Sequence, residues 1–114
     1  NGLSFDVPWI IKRSMKHGLK ATNQSFLNTK KFFKYPHWDV HVIMADYDRF
    51  KGASLRLTCD HLGIPSPKEE EITAENVSVA FKDGRIKEIK EYCLRDVQAT
   101  YNAYLISKNY TFIK

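Results

Sequence analysis

Apolar residues recur at helical intervals in four stretches of the chain and at strand-like alternation in one. The first helix is predicted over residues 7–17. Trp9, Ile10, Met15 and Leu19 give it a rough apolar face, Pro8 suits the opening turn and Gly18 ends it. Residues 23–34 are polar and basic with interleaved aromatics and read as a loop, and Pro36 breaks any helix there. "HWDVHVIM" opens with the alternation of a strand and runs into a short helix through Ala45. Ser54 is a good N-cap for "LRLTCDHLG", with Gly63 and Pro65 as its stop. "PSPKEEE" reads as a solvated loop. Thr73 caps "AENVSVAFK", and Asp83–Gly84 separates that segment from a last helix over about residues 85–107. Ile86, Ile89, Cys93, Val97, Tyr101 and Tyr104 form the apolar stripe of this helix.

This pattern is mostly helical with a single strand. A lone strand leaves backbone groups unpaired, so neighbouring strands are expected from missing sequence or from another chain. A start at Asn1 rather than Met fits a fragment. At 114 residues the chain is one domain at most, and 43% hydrophobic residues suffice for a core. No apolar run reaches the length of a membrane span. Cys59 and Cys93 lie far apart within helical segments and read as core thiols in a reducing, cytoplasmic setting rather than as a disulfide framework. A net charge of +5 is compatible with a polyanionic partner.

Three groups of residues could carry chemistry. In "EYCLRDVQATY", Tyr92 and Asp96 are four apart and share a helical face beside the stripe, where a cleft could form; the plainer reading is a surface Asp near a half-buried Tyr. Asp6 is either a favourable charge at a helix start or one ligand of a metal site. On a strand, His37, Asp39 and His41 would share one face and could bind zinc, or simply be an exposed polar strand end. His17 and His61 read as surface residues. Lys12, Lys16 and Lys20 repeat every four residues, and Lys30, Lys31 and Lys34 cluster with Phe32 and Phe33. Such a surface suits a nucleic-acid strand through phosphate pairing and base stacking, and equally an ordinary solvated face. The glycines are scattered singly and make no phosphate loop.

Taken in order, these pieces resemble a known family. "NGLSFD" resembles the second motif of the DnaQ-like 3′–5′ exonucleases, and "YCLRD" resembles their third motif in its Tyr-x-x-x-Asp form. "HWDV", "SLRLTCDHLGIPSPK", "AENV" and "GRIKEIKEYCLRDVQATYNAYL" resemble the predicted 3′–5′ exonucleases related to the proofreading domain of family B DNA polymerases. The resemblance implies an α/β, RNase H-like fold, here a mostly helical C-terminal portion lacking the first strands of the sheet. It implies a site of four carboxylates, in which Asp6 and Asp96 would ligate Mg²⁺ or Mn²⁺. Tyr92 would position or help activate the attacking water, and Asn1 and Phe5 would lie near the bound 3′ end. Asp39 matches a recurrent acidic position to which the resemblance attaches no role. The expected substrate is DNA with a single-stranded 3′ end, with RNA as the alternative, no membrane partner, and a homodimer covering the truncated face. The family's Asp-x-Glu motif is absent; Asp46 and Asp48 form only an Asp-x-Asp, in the wrong order along the chain. A chain holding half a site is expected to be inactive alone. A non-catalytic nucleic-acid-binding module and a structural dimerisation module are the other readings.

Overall fold

A computed structural model describes residues 1–30, 36–48, 52, 54–65 and 72–110. Five α-helices follow in order: α1 (Asp6–Lys16), α2 (Val40–Met44), α3 (Leu55–Leu62), α4 (Val77–Lys82) and α5 (Ile86–Ser107). A short 3-10 helix, Gln24–Leu27, lies between α1 and α2. No strand occurs among the described residues. The chain forms two compact units, one of Asn1–Ala53 with Ser107–Lys114 and one of Ser54–Ile106. The predicted loop at "PSPKEEE" and the Lys31, Phe32, Phe33 and Lys34 cluster lie largely outside the described residues.

In the first unit, residues 1–5 wind directly into α1. Phe5 N–H donates to Asn1 O at 3.1 Å and Val7 N–H to Gly2 O at 2.9 Å. Pro8 occupies the first turn, where its missing N–H costs nothing. The face that α1 covers carries Val7, with Ile11 and Ser14 half-buried beside it, whereas Trp9, Ile10, Met15 and Leu19 are exposed. The predicted apolar face is therefore the outer one. Arg13 stacks over Trp9, 5.4 Å from the ring centre, so part of that outer face is an aromatic–cation pair.

The expected strand at "HWDVH" is replaced by the start of α2. Asp39 is extended (φ −92°, ψ 103°), and its side chain caps the helix by accepting Val42 N–H at 3.2 Å. A carboxylate able to take an orphan helix donor outweighs a five-residue alternation that has no neighbouring strand to pair with.

α3 begins as expected, with Ser54 Oγ accepting Leu57 N–H at 3.1 Å. The helix that Thr73 was expected to cap starts later. Thr73 O accepts Asn76 N–H and Val77 N–H, forming a turn over residues 74–76, and α4 begins at Val77. α1, α2, α3 and α4 all end in the same motif, in which the N–H just past a left-handed residue donates to a carbonyl five residues back. Those bonds are Leu19 to Ser14, Tyr47 to Val42, Ile64 to Cys59 and Arg85 to Ala80, each 2.9 Å. The motif requires one left-handed residue. Gly18, Gly63 and Gly84 supply it three times, and Asp46 (φ 52°) supplies it after α2.

The last helix corrects the predicted stripe. Ile86, Cys93, Val97 and Tyr101 are exposed, while Ile89 and Tyr104 are half-buried. The covered side runs through Tyr92, Arg95, Asp96, Ala99 and Ala103, the two alanines being buried. Counting large apolar side chains missed this face because close approach favours small ones there. Cys93 is accordingly not a core residue, whereas Cys59 is wholly buried.

Candidate functional site

The Tyr92–Asp96 pair sits in the second unit, one turn apart on the half-covered face of α5. Tyr92 stands close enough to Asp96 for the carboxylate to act on the phenol. Burial pushes the Tyr92 phenol above its ordinary pKa. The negative charge of Asp96 pushes it further, and Cys93 and Glu75 add smaller amounts. Tyr92 is therefore a neutral phenol around neutral pH, able to donate a hydrogen bond but poorly suited to accept a proton. Asp96 O, the main-chain carbonyl, accepts the Thr100 hydroxyl at 2.8 Å, which ties the next turn of α5 to this point.

Two further residues lie within electrostatic reach of the pair: Glu75, which no motif marks, and Cys59, which the sequence pattern marks only as a core thiol. Glu75 lies on the turn before α4, and its charge reaches Tyr92. A hydrogen bond from the Thr73 side chain and one from its own backbone hold the Glu75 carboxyl below its usual range. The Cys59 thiol is raised, first by burial and then by the charges of Asp60 and Asp96. The cue for Glu75 was the Thr73-to-Asn76 turn, since Asn76 Oδ1 accepts Thr73 N–H at 2.8 Å and projects residues 74 and 75 outward.

Asn1, Phe5 and Asp6 belong to the first unit and are all exposed. Asp6 stands in the first turn of α1, the position that the dipole-based reading required, and Phe5 precedes it at the helix start. Asp39 holds this segment in place. It is 6% exposed, its Oδ2 accepts Leu3 N–H at 2.8 Å, and its Oδ1 lies 3.2 Å from the Asn1 nitrogen. Burial would raise its pKa, and the hydrogen bonds it accepts from the Leu3 and Val42 N–H groups pull it down. The role that sequence alone left open for Asp39 is thus positional: one carboxylate caps α2 and fixes the backbone that leads to Asp6.

The zinc arrangement is not formed. Asp39 is spent on backbone donors, and His37 Nε2 is 2.7 Å from Phe26 O with its ring edge-on to Phe26 at 5.0 Å. His41 lies within α2, not on a strand face with them. Among the described residues, no three His, Cys, Asp or Glu side chains are grouped to hold a metal ion. What the pair on α5 does offer is oxygen donors, the chemistry a hard divalent cation takes. Among the described residues no helix is long and apolar enough to cross a membrane.

A family model described as "Predicted 3'-5' exonuclease related to the exonuclease domain of PolB" matches residues 1–111. No curated protein and no solved structure matches the chain.

Proposed function

Because the chain belongs to this family of predicted 3′–5′ exonucleases, we propose that it is part of a metal-dependent nuclease that removes nucleotides from single-stranded DNA 3′ ends, with RNA as a second substrate. The observation that carries the reading is the half-buried Tyr92–Asp96 pair, one turn apart on α5, at the residues that resemble the family's third motif. Asp6 and Asp96 are the carboxylates proposed to hold Mg²⁺ or Mn²⁺. The bound ions would supply Lewis acidity and neutralise charge at an anionic phosphodiester. The neutral Tyr92 hydroxyl orients the attacking water by hydrogen bonding and takes no proton itself. Phe5, exposed at the start of α1, offers its ring to the terminal base, and Asn1 offers its amide to the terminal sugar. Asp39 keeps both on one fixed backbone segment.

No Asp-x-Glu occurs in the 114 residues. The reading therefore takes the other two carboxylates, and the strands of an RNase H-like sheet, from chain beyond these residues, with 1–114 as the C-terminal part of one exonuclease domain. The 114-residue chain is expected to release no nucleotide from a 3′-labelled oligonucleotide in Mg²⁺ or Mn²⁺, and a chain extended to include an Asp-x-Glu pair is expected to release it. In the extended chain, Asp96→Ala abolishes release. Tyr92→Phe lowers kcat by about 10–100-fold with KM little changed, the size typical of losing a group that orients a ligand. Digestion that survives Asp96→Ala sinks the assignment.

The exposed row of Val97, Tyr101 and Leu105 on α5 favours a second reading, a dimerisation module. A dimer by sedimentation that Val97→Glu dissociates, with no nuclease activity in the extended chain, would replace the first reading by this one.

A further inference from the structure

The first unit holds a pocket of about 330 Å³ between α1 and the 3-10 helix. Its walls include Ile11, Met15, Leu19 and Phe26, and Lys20 and Gln24 stand among them. The volume lies at the small end of ligand sites. Met15 and Leu19 are exposed although apolar, so the structure spends two large side chains on a concave surface rather than on its own interior. The far wall is fixed: His37 packs edge-on against Phe26 and hydrogen-bonds its carbonyl. Gln24 donates one amide N–H to Ala21 O at 3.0 Å, which orients its side chain among the lining groups.

The surroundings select the sign of the occupant. Residues 1–30 carry five Lys or Arg against one Asp. Lys12 and Lys16 stand one turn apart on the flank of α1 next to Met15, and Lys20 lines the pocket itself. An apolar hollow with a cationic border fits a ligand that is flat and apolar at one end and anionic at the other. We infer that this pocket takes one unstacked base of a single-stranded nucleic acid while Lys12, Lys16 and Lys20 hold the adjoining phosphates. The inference rests on the nuclease reading for its choice of polyanion and adds to it a base-binding point remote from the Tyr92–Asp96 pair in sequence. Its apolar wall contributes stacking and packing, which tolerate any base, and its lysines contribute salt-dependent affinity.

The test uses the 114-residue chain in EDTA, with fluorescence anisotropy of a labelled single-stranded DNA oligomer and of an abasic oligomer of equal length and charge. The base-containing strand should bind about tenfold more tightly. Met15→Ser/Leu19→Ser, both at exposed positions, should abolish that preference while leaving the salt-dependent binding of the abasic strand. Lys12→Gln/Lys16→Gln/Lys20→Gln should weaken both strands and flatten the dependence on salt. Equal binding of the two strands by the unmodified chain overturns the inference, as does a preference that survives the serine substitutions. Uptake of oleate without any base-dependent gain in DNA binding overturns it in favour of a lipid pocket. Binding is read in EDTA, without metal or turnover, so a failed pocket and a failed nuclease assignment give different results.

Discussion

At the scale of single residues, Asp39 carries more of the local structure than either carboxylate first considered for chemistry. Removing it strands the N–H groups of Leu3 and Val42 in a buried place. Asp39→Ala should cost about 1–3 kcal/mol, read by denaturant unfolding. The pH dependence has a definite sign. The folded pKa lies below the ordinary carboxylate value of about 3.9. The stabilisation is therefore fully present above that value and is lost as pH falls through the folded pKa. Between pH 6 and pH 3 the unmodified chain should lose stability that Asp39→Asn does not. The cysteines differ just as clearly. Cys59 is wholly buried with its thiol raised, and Cys93 is exposed, so iodoacetamide should label Cys93 in the native chain and reach Cys59 only on unfolding.

At the scale of elements, helix ends were easier to read than helix faces. Ser54, Gly18, Gly63 and the Asp83–Gly84 pair mark boundaries by local chemistry, and the structure places the boundaries there. Asp46 shows the limit of that approach: it fills the left-handed place that glycine fills elsewhere, and its sequence neighbourhood reads only as an acidic pair. Asp46→Val should destabilise by about 1–2 kcal/mol, read by denaturant unfolding, because a β-branched side chain is strained in the left-handed conformation. The faces of α1 and α5 were read from large apolar residues, yet the covered positions on α5 include Ala99 and Ala103. Ala103→Leu should destabilise by about 1–3 kcal/mol through overpacking. Val97→Glu, at a position 66% exposed, should change monomer stability by no more than about 0.5 kcal/mol.

At the scale of the whole molecule, the two compact units divide the candidate residues. Asn1, Phe5, Asp6 and Asp39 fall in one, and Tyr92, Asp96, Glu75 and Cys59 in the other. Separate units predict separate local stabilities. In hydrogen exchange, Asp39→Asn should lower protection in α1 and α2 while leaving α3 and α4 within error of the unmodified chain. Uniform loss of protection in all four helices would show that the units unfold as one.

The residue types and their order alone established the family, most of the helix ends and the Tyr-x-x-x-Asp spacing, because caps, glycine turns and a four-residue spacing are local and are written in neighbouring positions. Folding decided which side of each helix is covered, that Asp39 opens a helix instead of lying on a strand, that the Glu75 charge reaches Tyr92 and that the Asp96 charge reaches Cys59. Those outcomes depend on burial and on groups far apart in the chain. No window of sequence contains the Leu3 N–H that Asp39 receives or the Asp96 charge that raises the Cys59 thiol.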